Sequence, residues 1–292
     1  MCSGTPAFKR IVLGLLLAVA GAIPIDAVLA DQGARRICST SLAGDELLAL
    51  LVEPERVACV STLADDPQLS DVVGHFPASI ARVIGRIEPV LGTRPDLVLV
   101  APWNDPDFRA LLARSGVEVE VLADVRNFDD IRRQVLDLGR RLGATERARQ
   151  VVERLDAELA RAEAIAARRR WRPKILSFSH GIVAGAGTTV DALIRRAGAI
   201  NAAAEAGIEG HTRLPMEALV ALDPEVLLLG FDTGEHPASL LEAYPHLAST
   251  RAVRDGRIVI LPPRLLTTVT PFLARGVLAL EERLAALAPE PK

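Results

Sequence analysis

The stretch that decides the fold runs from Thr145 to Arg170 and reads TERARQVVERLDAELARAEAIAARRR. It contains no Gly or Pro, and its apolar residues recur at steps of three and four: Ala148, Val151, Val152, Leu155, Leu159, Ala162 and Ile165. This spacing predicts one amphipathic α-helix of about 26 residues, about 39 Å long. Because no turn residue interrupts the run, we expect a single helix that joins two parts of the chain, rather than a helical hairpin. Such a rigid connection predicts only a small closing movement.

On the N-terminal side of this helix the chain alternates between short apolar runs and helical patterns. Strands are predicted at 37–40, 57–61, 95–100 and 117–122, and helices at 45–51 and 106–115. The run Pro95-Asp96-Leu97-Val98-Leu99-Val100 is typical of a strand that is buried on both faces. Repeated strand–helix–strand order predicts a parallel sheet with right-handed crossovers.

The C-terminal side repeats the same order. Strands are predicted at 174–178, 223–229 and 257–261, and helices at 188–197, 240–244 and 271–287. The first of these helices begins with Thr188 and Asp191 at capping-box spacing. The sequence therefore predicts an α/β protein with an N-terminal lobe at 31–144, a connecting helix at 145–170 and a C-terminal lobe at 171–292.

The first thirty residues have the features of a secretory signal peptide. Lys9 and Arg10 precede an apolar run at 11–22, and small residues follow at Val28-Leu29-Ala30. The run is shorter than the roughly 20 residues that a membrane-spanning helix needs. We expect cleavage near Ala30, before Asp31, and export to the periplasm; a retained membrane anchor is the alternative.

Charge argues against a nucleic-acid partner. The chain has 34 basic and 37 acidic residues, a net charge of −3. Residues 1–30 carry Lys9, Arg10 and Asp26, so without them 32 basic and 36 acidic residues give −4. A mildly acidic chain of mixed sign has no electrostatic footprint for nucleic acid.

Two cysteines, Cys38 and Cys59, remain after the signal peptide, each inside a short apolar run. An exported pair can form a disulfide, but a buried cysteine is also a small apolar residue. Sequence spacing does not establish disulfide geometry, so we expect two free thiols in the core.

Four stretches around the long helix carry a resemblance to a known family: RICSTSLAGDELL at 36–48, RPDLVLVAPW at 94–103, AGAGTTVDAL at 184–193 and RLPMEAL at 213–219. In this order they resemble the cobalamin-, siderophore- and haem-binding proteins of bacterial ABC importers, the helical-backbone (class III) periplasmic binding proteins. The resemblance implies two Rossmann-like lobes with central parallel sheets joined by one long helix. It also implies a monomer without catalytic activity or a cofactor of its own. Such a protein captures a metal chelate (cobalamin, haem or a ferric siderophore) and delivers it to an ABC permease and its ATPase.

Ligands of open α/β sheets bind beyond the carboxyl ends of the strands. Two facing lobes therefore predict one cleft, and the candidate ligand contacts in its loops are Ser41, His75, Trp103, Asn104, His180, His211, Arg213 and Arg264. A planar macrocycle or catecholate stacks well on an indole, imidazole binds iron and cobalt, and arginine pairs with carboxylates. Each has an ordinary alternative: Trp103 covers its own lobe, the histidines are loop residues, and the arginines bridge helix ends.

The resemblance also implies docking on the permease through one exposed acid per lobe. Asp105 and Asp107 lie near that position in the first lobe, although the helix dipole alone favours acids there. In the second lobe Thr267 and Thr268 stand where an acid is expected, and Asp232 or Glu235 is the substitute.

Two other functions have less support in the sequence. A secreted hydrolase would need a nucleophile beside a base, but the chain has no G-x-S-x-G or H-E-x-x-H motif. Ser179 and His180 adjoin, yet neighbours along a strand point to opposite faces. A binding protein for a free metal ion would need several convergent ligands, whereas the five histidines are scattered. Nucleotide hydrolysis is not predicted, because the glycine-containing segment GAGTT at 185–189 lacks the lysine of a phosphate-binding loop. We expect this segment to let a helix pack closely on the sheet.

Overall fold

The computed structural model describes Met1, residues 35–230 and residues 237–288. Apart from Met1, the predicted signal peptide lies outside these residues, as do the predicted docking acids Asp232 and Glu235. The described chain from residue 35 onward belongs to one compact unit, which contains two β-sheets.

The first sheet is entirely parallel. Its strands are β1 (Ile37–Ser39), β2 (Val57–Ser61), β3 (Ala81–Val83), β4 (Leu97–Val100) and β5 (Glu118–Val121). They lie in the order β3-β2-β1-β4-β5, and the helices of this lobe are α1 (Leu42–Leu51), α2 (Ile87–Gly92) and α3 (Pro106–Arg114). Strand β4 is buried along its whole length, as its uninterrupted apolar sequence predicts.

The prediction of two free thiols is wrong. Cys38 of β1 and Cys59 of β2 form a disulfide, with their Cα atoms 4.5 Å apart. The two residues are register partners on adjacent parallel strands, so both side chains leave the same face of the sheet. This pairing follows from the strand order, which the spacing of the cysteines does not reveal.

Two consecutive helices connect the sheets. Helix α4 (Phe128–Arg141), which the sequence analysis missed, packs against α5 (Thr145–Ala166). Helix α5 is the predicted connecting helix, but with 22 residues it ends four residues early. Its last turn tightens because the amides of Arg168 and Arg169 donate to carbonyl oxygens three residues back.

The second sheet is mixed. Its strands are β6 (Lys174–Ser179), β7 (Ile182–Ala184), β8 (Ile200–Asn201), β9 (His211–Arg213), β10 (Val226–Gly230) and β11 (Ile258–Leu261). The order is β11-β10-β6-β7-β9, and β8 pairs with β6. The helices are α6 (Thr189–Arg196), α7 (Ala202–Glu205), α8 (Met216–Ala221), α9 (Pro237–Ala243), α10 (Arg251–Arg254), α11 (Pro263–Leu266) and α12 (Leu273–Leu287).

The all-parallel expectation fails at one edge of this sheet, where β7 runs antiparallel to both β6 and β9. Strands β6 and β7 are joined by His180 and Gly181 alone, with φ of 48° and 84°. A two-residue turn with both φ angles positive suits the twist of an antiparallel hairpin. The chain therefore reverses here instead of crossing over through a helix.

One hydrophobic core is shared by both lobes, and each lobe has in addition a smaller cluster of buried apolar residues of its own. The shared core lies on both sides of the central helix. It extends from Leu99 of the first sheet through Val151 and Leu155 of α5 to Ile175 and Leu228 of the second sheet. The predicted lobe boundaries at either end of the central helix stay a prediction, because the helix shares its core with both sheets. Among the described helices, none combines the length and apolar character needed to cross a membrane.

Candidate ligand-binding cleft

An open cavity of about 860 Å³ lies between the two sheets. Its walls come from the two lobes and are formed by Trp103, Asp124, Val125, Arg126, Ala186, Gly187, Thr188, Thr189, Val190, Glu209, Gly210, His211, Leu266, Thr267 and Val269. Seven of these residues follow the carboxyl ends of the parallel strands β4, β5 and β11, where ligands of open α/β sheets bind. Residues 186–190 follow the antiparallel strand β7, and residues 209–211 lead into β9. The predicted contacts Trp103 and His211 are therefore brought to one cavity.

Trp103 is the largest apolar side chain on the wall of this cavity. It follows the buried strand β4 and is 59% exposed, which does not fit the alternative that it covers the core of its own lobe. Its turn is closed by Asn104, whose Oδ1 accepts a hydrogen bond of 2.6 Å from the amide of Ala101. The Thr40 hydroxyl donates to the same oxygen over 3.5 Å. These bonds fix the backbone turn that carries the exposed indole beside the cavity.

A smaller cavity of about 210 Å³ shares Trp103, Thr267 and Val269 with the large one. The predicted contacts Ser41 and Asn104 line it. The Ser41 hydroxyl accepts from the amide of Gly44 over 3.3 Å and caps helix α1. Ser41 and Asn104 therefore also have structural roles.

The three candidate histidines are separated. His211 begins β9 on the wall of the large cavity, whereas His75 and His180 are not among the described residues that line it. The His75 ring packs edge-on against Phe76 at 4.9 Å. His180 lies in the β6–β7 turn, where its carbonyl oxygen accepts from Arg213 over 3.2 Å. His211 alone of the three is placed to meet a ligand in this cavity.

The expectation that Ser179 and His180 point to opposite faces is wrong. Ser179 Oγ and His180 Nδ1 are 3.2 Å apart. His180 is a turn residue with positive φ rather than a strand residue, so strand alternation does not apply to it. Both side chains are exposed.

The two candidate arginines lie outside the walls of the large cavity. Arg213 spans the β6–β7 turn through its contact with His180. Arg264 crosses between lobes: its amide donates to the carbonyl oxygen of Gln68 over 3.1 Å, and its Nε lies 3.9 Å from Asp71 Oδ1. Both arginines fit the alternative of bridging structural elements.

Sequence analysis missed Asp124, Val125 and Arg126. They follow β5 and precede α4, so the rule that selected the other loops also selects this one. Arg126 Nη2 lies 2.8 Å from Asp124 Oδ2, with both side chains exposed. Arg126 is the basic residue on the wall of the large cavity.

The loop between β7 and α6 forms part of the cavity wall through Ala186, Gly187 and Thr188. Gly187 has φ of 74°, and Thr188 Oγ1 accepts from the amide of Asp191 over 3.1 Å, which confirms the predicted cap. A Cβ at Gly185 would lie 2.1 Å from the carbonyl oxygen of Ile208. Only glycine permits this approach, which packs the loop against Ile208 and not, as predicted, a helix against the sheet. A Cβ at Gly187 would meet nothing within 4 Å.

Helix α1 carries two adjacent buried carboxyl groups, Asp45 and Glu46, and Glu46 lines the smaller cavity. Burial raises the pKa of Asp45 to about 6, against hydrogen bonds from Ser61 that lower it. Burial likewise raises the pKa of Glu46 to about 7, against hydrogen bonds from Thr270 and Thr268. Both groups therefore change charge near neutral pH.

The candidate docking acids of the first lobe are exposed. Asp105 caps helix α3, accepting at Oδ1 from the amides of Asp107 (2.7 Å) and Phe108 (3.1 Å). Asp107 lies in the first turn of α3. In the second lobe, the hydroxyl of Thr268 is turned inward to Glu46.

Two α/β lobes that share a helix and enclose an open cavity between their strand ends define a two-lobed binding protein. The model of the periplasmic binding protein family matches residues 37–265. The chain belongs to this family of non-enzymatic binding proteins, which favours binding over the hydrolase alternative.

Solved structures give the same assignment. The apo haem-binding protein RhuT from Roseiflexus sp. RS-1 is 29% identical, with a TM-score of 0.76 over 88% of this chain and 100% of that one. A periplasmic haem-binding protein from Pseudomonas aeruginosa is 30% identical, with a TM-score of 0.73 over 89% and 94%. The vitamin B12-binding protein BtuF of Vibrio cholerae shares the fold, at 19% identity and a TM-score of 0.65 over 87% and 98%. No curated protein matches the sequence significantly.

Proposed function

We propose that this chain captures a metal chelate, with haem as the first candidate, in the cleft and delivers it to an ABC permease. The observation that carries the proposal is the exposed indole of Trp103 on the wall of a cavity of about 860 Å³. Rigid aromatic surfaces of this kind stack on planar ligands. The two haem-binding proteins at 29% and 30% identity support haem over cobalamin.

Three residues on the wall of the large cavity and two in the smaller one have separate parts in the proposal. Trp103 stacks on the macrocycle, and the His211 imidazole binds the iron. Arg126 pairs with the carboxylates of the ligand. Ser41 and Asn104, in the smaller cavity, contact the edge of the ligand. Cobalamin and ferric siderophores remain alternatives because they also present a metal and polar groups to one cleft.

The test is an absorption titration of the chain lacking residues 1–30 with haemin, cyanocobalamin and a ferric hydroxamate. We expect saturable binding of haemin, about tenfold weaker in Trp103→Ala because an aromatic pair contributes up to about 1.5 kcal/mol. Trp171→Phe, which changes an indole outside the cavity wall, is the matched control. Stronger binding of another chelate would replace haem, and absence of binding throughout the panel would contradict the proposal.

Delivery requires docking, for which we propose Asp105 and Asp107 on the first lobe and Glu235 on the second. Replacement of Asp107 by Asn is expected to weaken binding to the permease in a salt-dependent manner, with haemin affinity unchanged. Export predicts a mature N-terminus at Asp31, which mass spectrometry of the periplasmic fraction would measure.

A further inference from the structure

A buried cluster of polar side chains joins the two lobes beside the cleft. Glu46 of helix α1 is 1% exposed. Its Oε2 accepts hydrogen bonds from Thr270 Oγ1 (2.6 Å) and Thr268 Oγ1 (2.8 Å) of the second lobe. The two hydroxyl oxygens are themselves 2.9 Å apart. One carboxyl group therefore fixes two residues that follow it by 222 and 224 positions in the sequence.

Asp71 extends this cluster. Its amide lies 3.5 Å from Glu46 Oε1, and its Oδ1 accepts from Arg275 Nη1 over 3.0 Å. Arg275 belongs to α12, so this contact also crosses between the lobes. In the contacts that cross between the lobes, the first lobe supplies the carboxyl groups and the second lobe supplies the donors.

The segment held by Glu46 belongs to the wall of the cleft. Thr267 and Val269, on either side of Thr268, line both the large and the small cavity beside Trp103. Any loosening of Thr268 and Thr270 must move these two neighbours along the chain. The position of this wall therefore depends on the contact with Glu46.

We propose that Glu46 is a positioning residue: its carboxyl group holds the segment Thr267–Thr270 against the first lobe and so sets the width of the ligand cleft. The proposal concerns the ligand-free protein and does not depend on which ligand binds.

The charge on Glu46 governs this contact. From the first lobe Glu46 is faced by Asp71, whose negative charge opposes the ionisation of Glu46. The residue before Glu46, Asp45, accepts hydrogen bonds from Ser61 on the sheet of the first lobe. From the second lobe Glu46 is faced by two neutral hydroxyls. The cations Arg264 and Arg275 of that lobe contact Asp71 and not Glu46. An ionised carboxylate buried without a direct cation is costly. With a pKa of about 7, Glu46 is neutral below neutral pH, where its burial between the lobes costs least. Above neutral pH it is ionised, and the cost of burying the charge outweighs the stronger hydrogen bonds that the two hydroxyls donate to a carboxylate.

The test is amide hydrogen exchange of the ligand-free chain without residues 1–30, at pH 6 and pH 8, corrected for intrinsic exchange rates. We expect residues 266–272 to exchange at least about threefold faster at pH 8 in the wild type, and to lose this pH dependence in Glu46→Gln. Gln keeps a carbonyl acceptor for the hydroxyls but has no charge to gain, so protection is retained. A purely structural role for Glu46 would not make protection depend on pH in this way.

Thr268→Val/Thr270→Val removes both donors at nearly constant volume, and we expect it to increase exchange of residues 266–272 about tenfold at both pH values. The matched control is Thr250→Val, because Thr250 is also fully buried but donates to Leu247 within the second lobe. Wild-type protection in Thr268→Val/Thr270→Val would overturn the proposal. Should that variant not fold, an unchanged pH dependence in Glu46→Gln overturns it equally.

Discussion

The two ends of the central helix α5 are attached to their lobes in different ways. At its start, Arg147 pairs with Glu53 of the first lobe, and these side chains are 39% and 67% exposed. Just beyond its end, Arg169 contacts Glu281 of α12 through Nε (3.1 Å) and Nη2 (3.0 Å), with 4% and 0% exposure. A buried ion pair depends on both partners far more than an exposed one. The second lobe is therefore attached to the helix through a specific buried polar contact, whereas the first is attached through apolar packing and is itself cross-linked by the disulfide.

The largest effect is expected from Arg169→Ala. It leaves the Glu281 carboxylate buried without its guanidinium partner, which costs about 3–5 kcal/mol of the free energy of unfolding. Arg169 also donates to the carbonyl oxygens of Ala197 and Trp171, so the start of the second lobe loosens as well. Urea denaturation followed by tryptophan fluorescence measures the loss.

The matched control for this variant removes both charges together. Arg169→Met/Glu281→Leu leaves no unpaired buried charge, and we expect it to lose much less stability than Arg169→Ala. Equal losses in the two variants would show that packing, and not the ion pair, attaches this end of the helix.

The second prediction concerns the first lobe. Cys38→Ala/Cys59→Ala removes a cross-link between residues 21 positions apart, and a loop of this size predicts a loss of about 3 kcal/mol. Urea denaturation of two single-tryptophan proteins reports on each lobe: Trp103 on the first, in a Trp171→Phe background, and Trp171 on the second, in a Trp103→Phe background.

Because one hydrophobic core is shared by both lobes, we expect the two reporters to shift together when the disulfide is removed. An earlier transition at Trp103 alone would show that the lobes unfold separately. Thiol titration of the unfolded, unreduced wild-type chain lacking residues 1–30 checks the premise, since a disulfide leaves no free thiol there.

The sequence predicts those parts of this comparison that local patterns encode. The spacing of Leu155 and Leu159 predicts the central helix, and the run at 95–100 predicts the buried strand that leads to Trp103. Helix α4 is encoded equally well, because Phe128, Ile131, Val135 and Leu138 follow helical spacing and are buried. The sequence analysis did not predict this helix although its pattern is plain. It therefore did not include the loop with Arg126, which leads into the helix.

Other features depend on contacts that no local pattern contains. The pairing of Cys38 with Cys59 follows from strand order. The reversal at His180 uses a residue that is not the usual choice for a turn with positive φ. Glu46 meets Thr268 across 222 positions, and helical spacing shows only that it belongs to α1. Long-range polar pairs of this kind become visible only when both lobes are in place.

The third prediction compares stability at two pH values. The pKa of Glu46 is raised from 4.5 to about 7 in the fold, so its stabilising contribution is fully present below pH 4.5 and is lost as pH rises to about 7. At pH 6, about one unit below the folded pKa, Glu46 still contributes roughly 1.4 kcal/mol more to the free energy of unfolding than it does at pH 8. We expect wild-type stability to fall by at least this amount between pH 6 and pH 8, since Asp45 acts in the same direction.

Urea denaturation of Glu46→Gln at the same two pH values isolates this contribution. The variant should lose about 1.4 kcal/mol of the pH dependence and keep the smaller part that comes from Asp45. If its pH dependence matched that of the wild type, Glu46 would not ionise in this range.

The smallest effect is expected at the other end of α5, from Arg147→Ala. Its partner Glu53 is mostly exposed, so water solvates the carboxylate once the arginine is gone, and exposed pairs contribute about 0–1 kcal/mol. Arg147 Nε also donates to the carbonyl oxygen of Leu50 over 2.9 Å, which places the expected loss near 1 kcal/mol rather than zero. Glu53→Ala keeps the hydrogen bond from Arg147 to the Leu50 carbonyl oxygen and should therefore cost less. The difference in the free energy of unfolding between the two variants, from urea denaturation, measures the contribution of that hydrogen bond. A loss in Arg147→Ala as large as in Arg169→Ala would mean that exposure does not rank the two ends of the helix, and the contrast between the lobes would then rest on the disulfide alone.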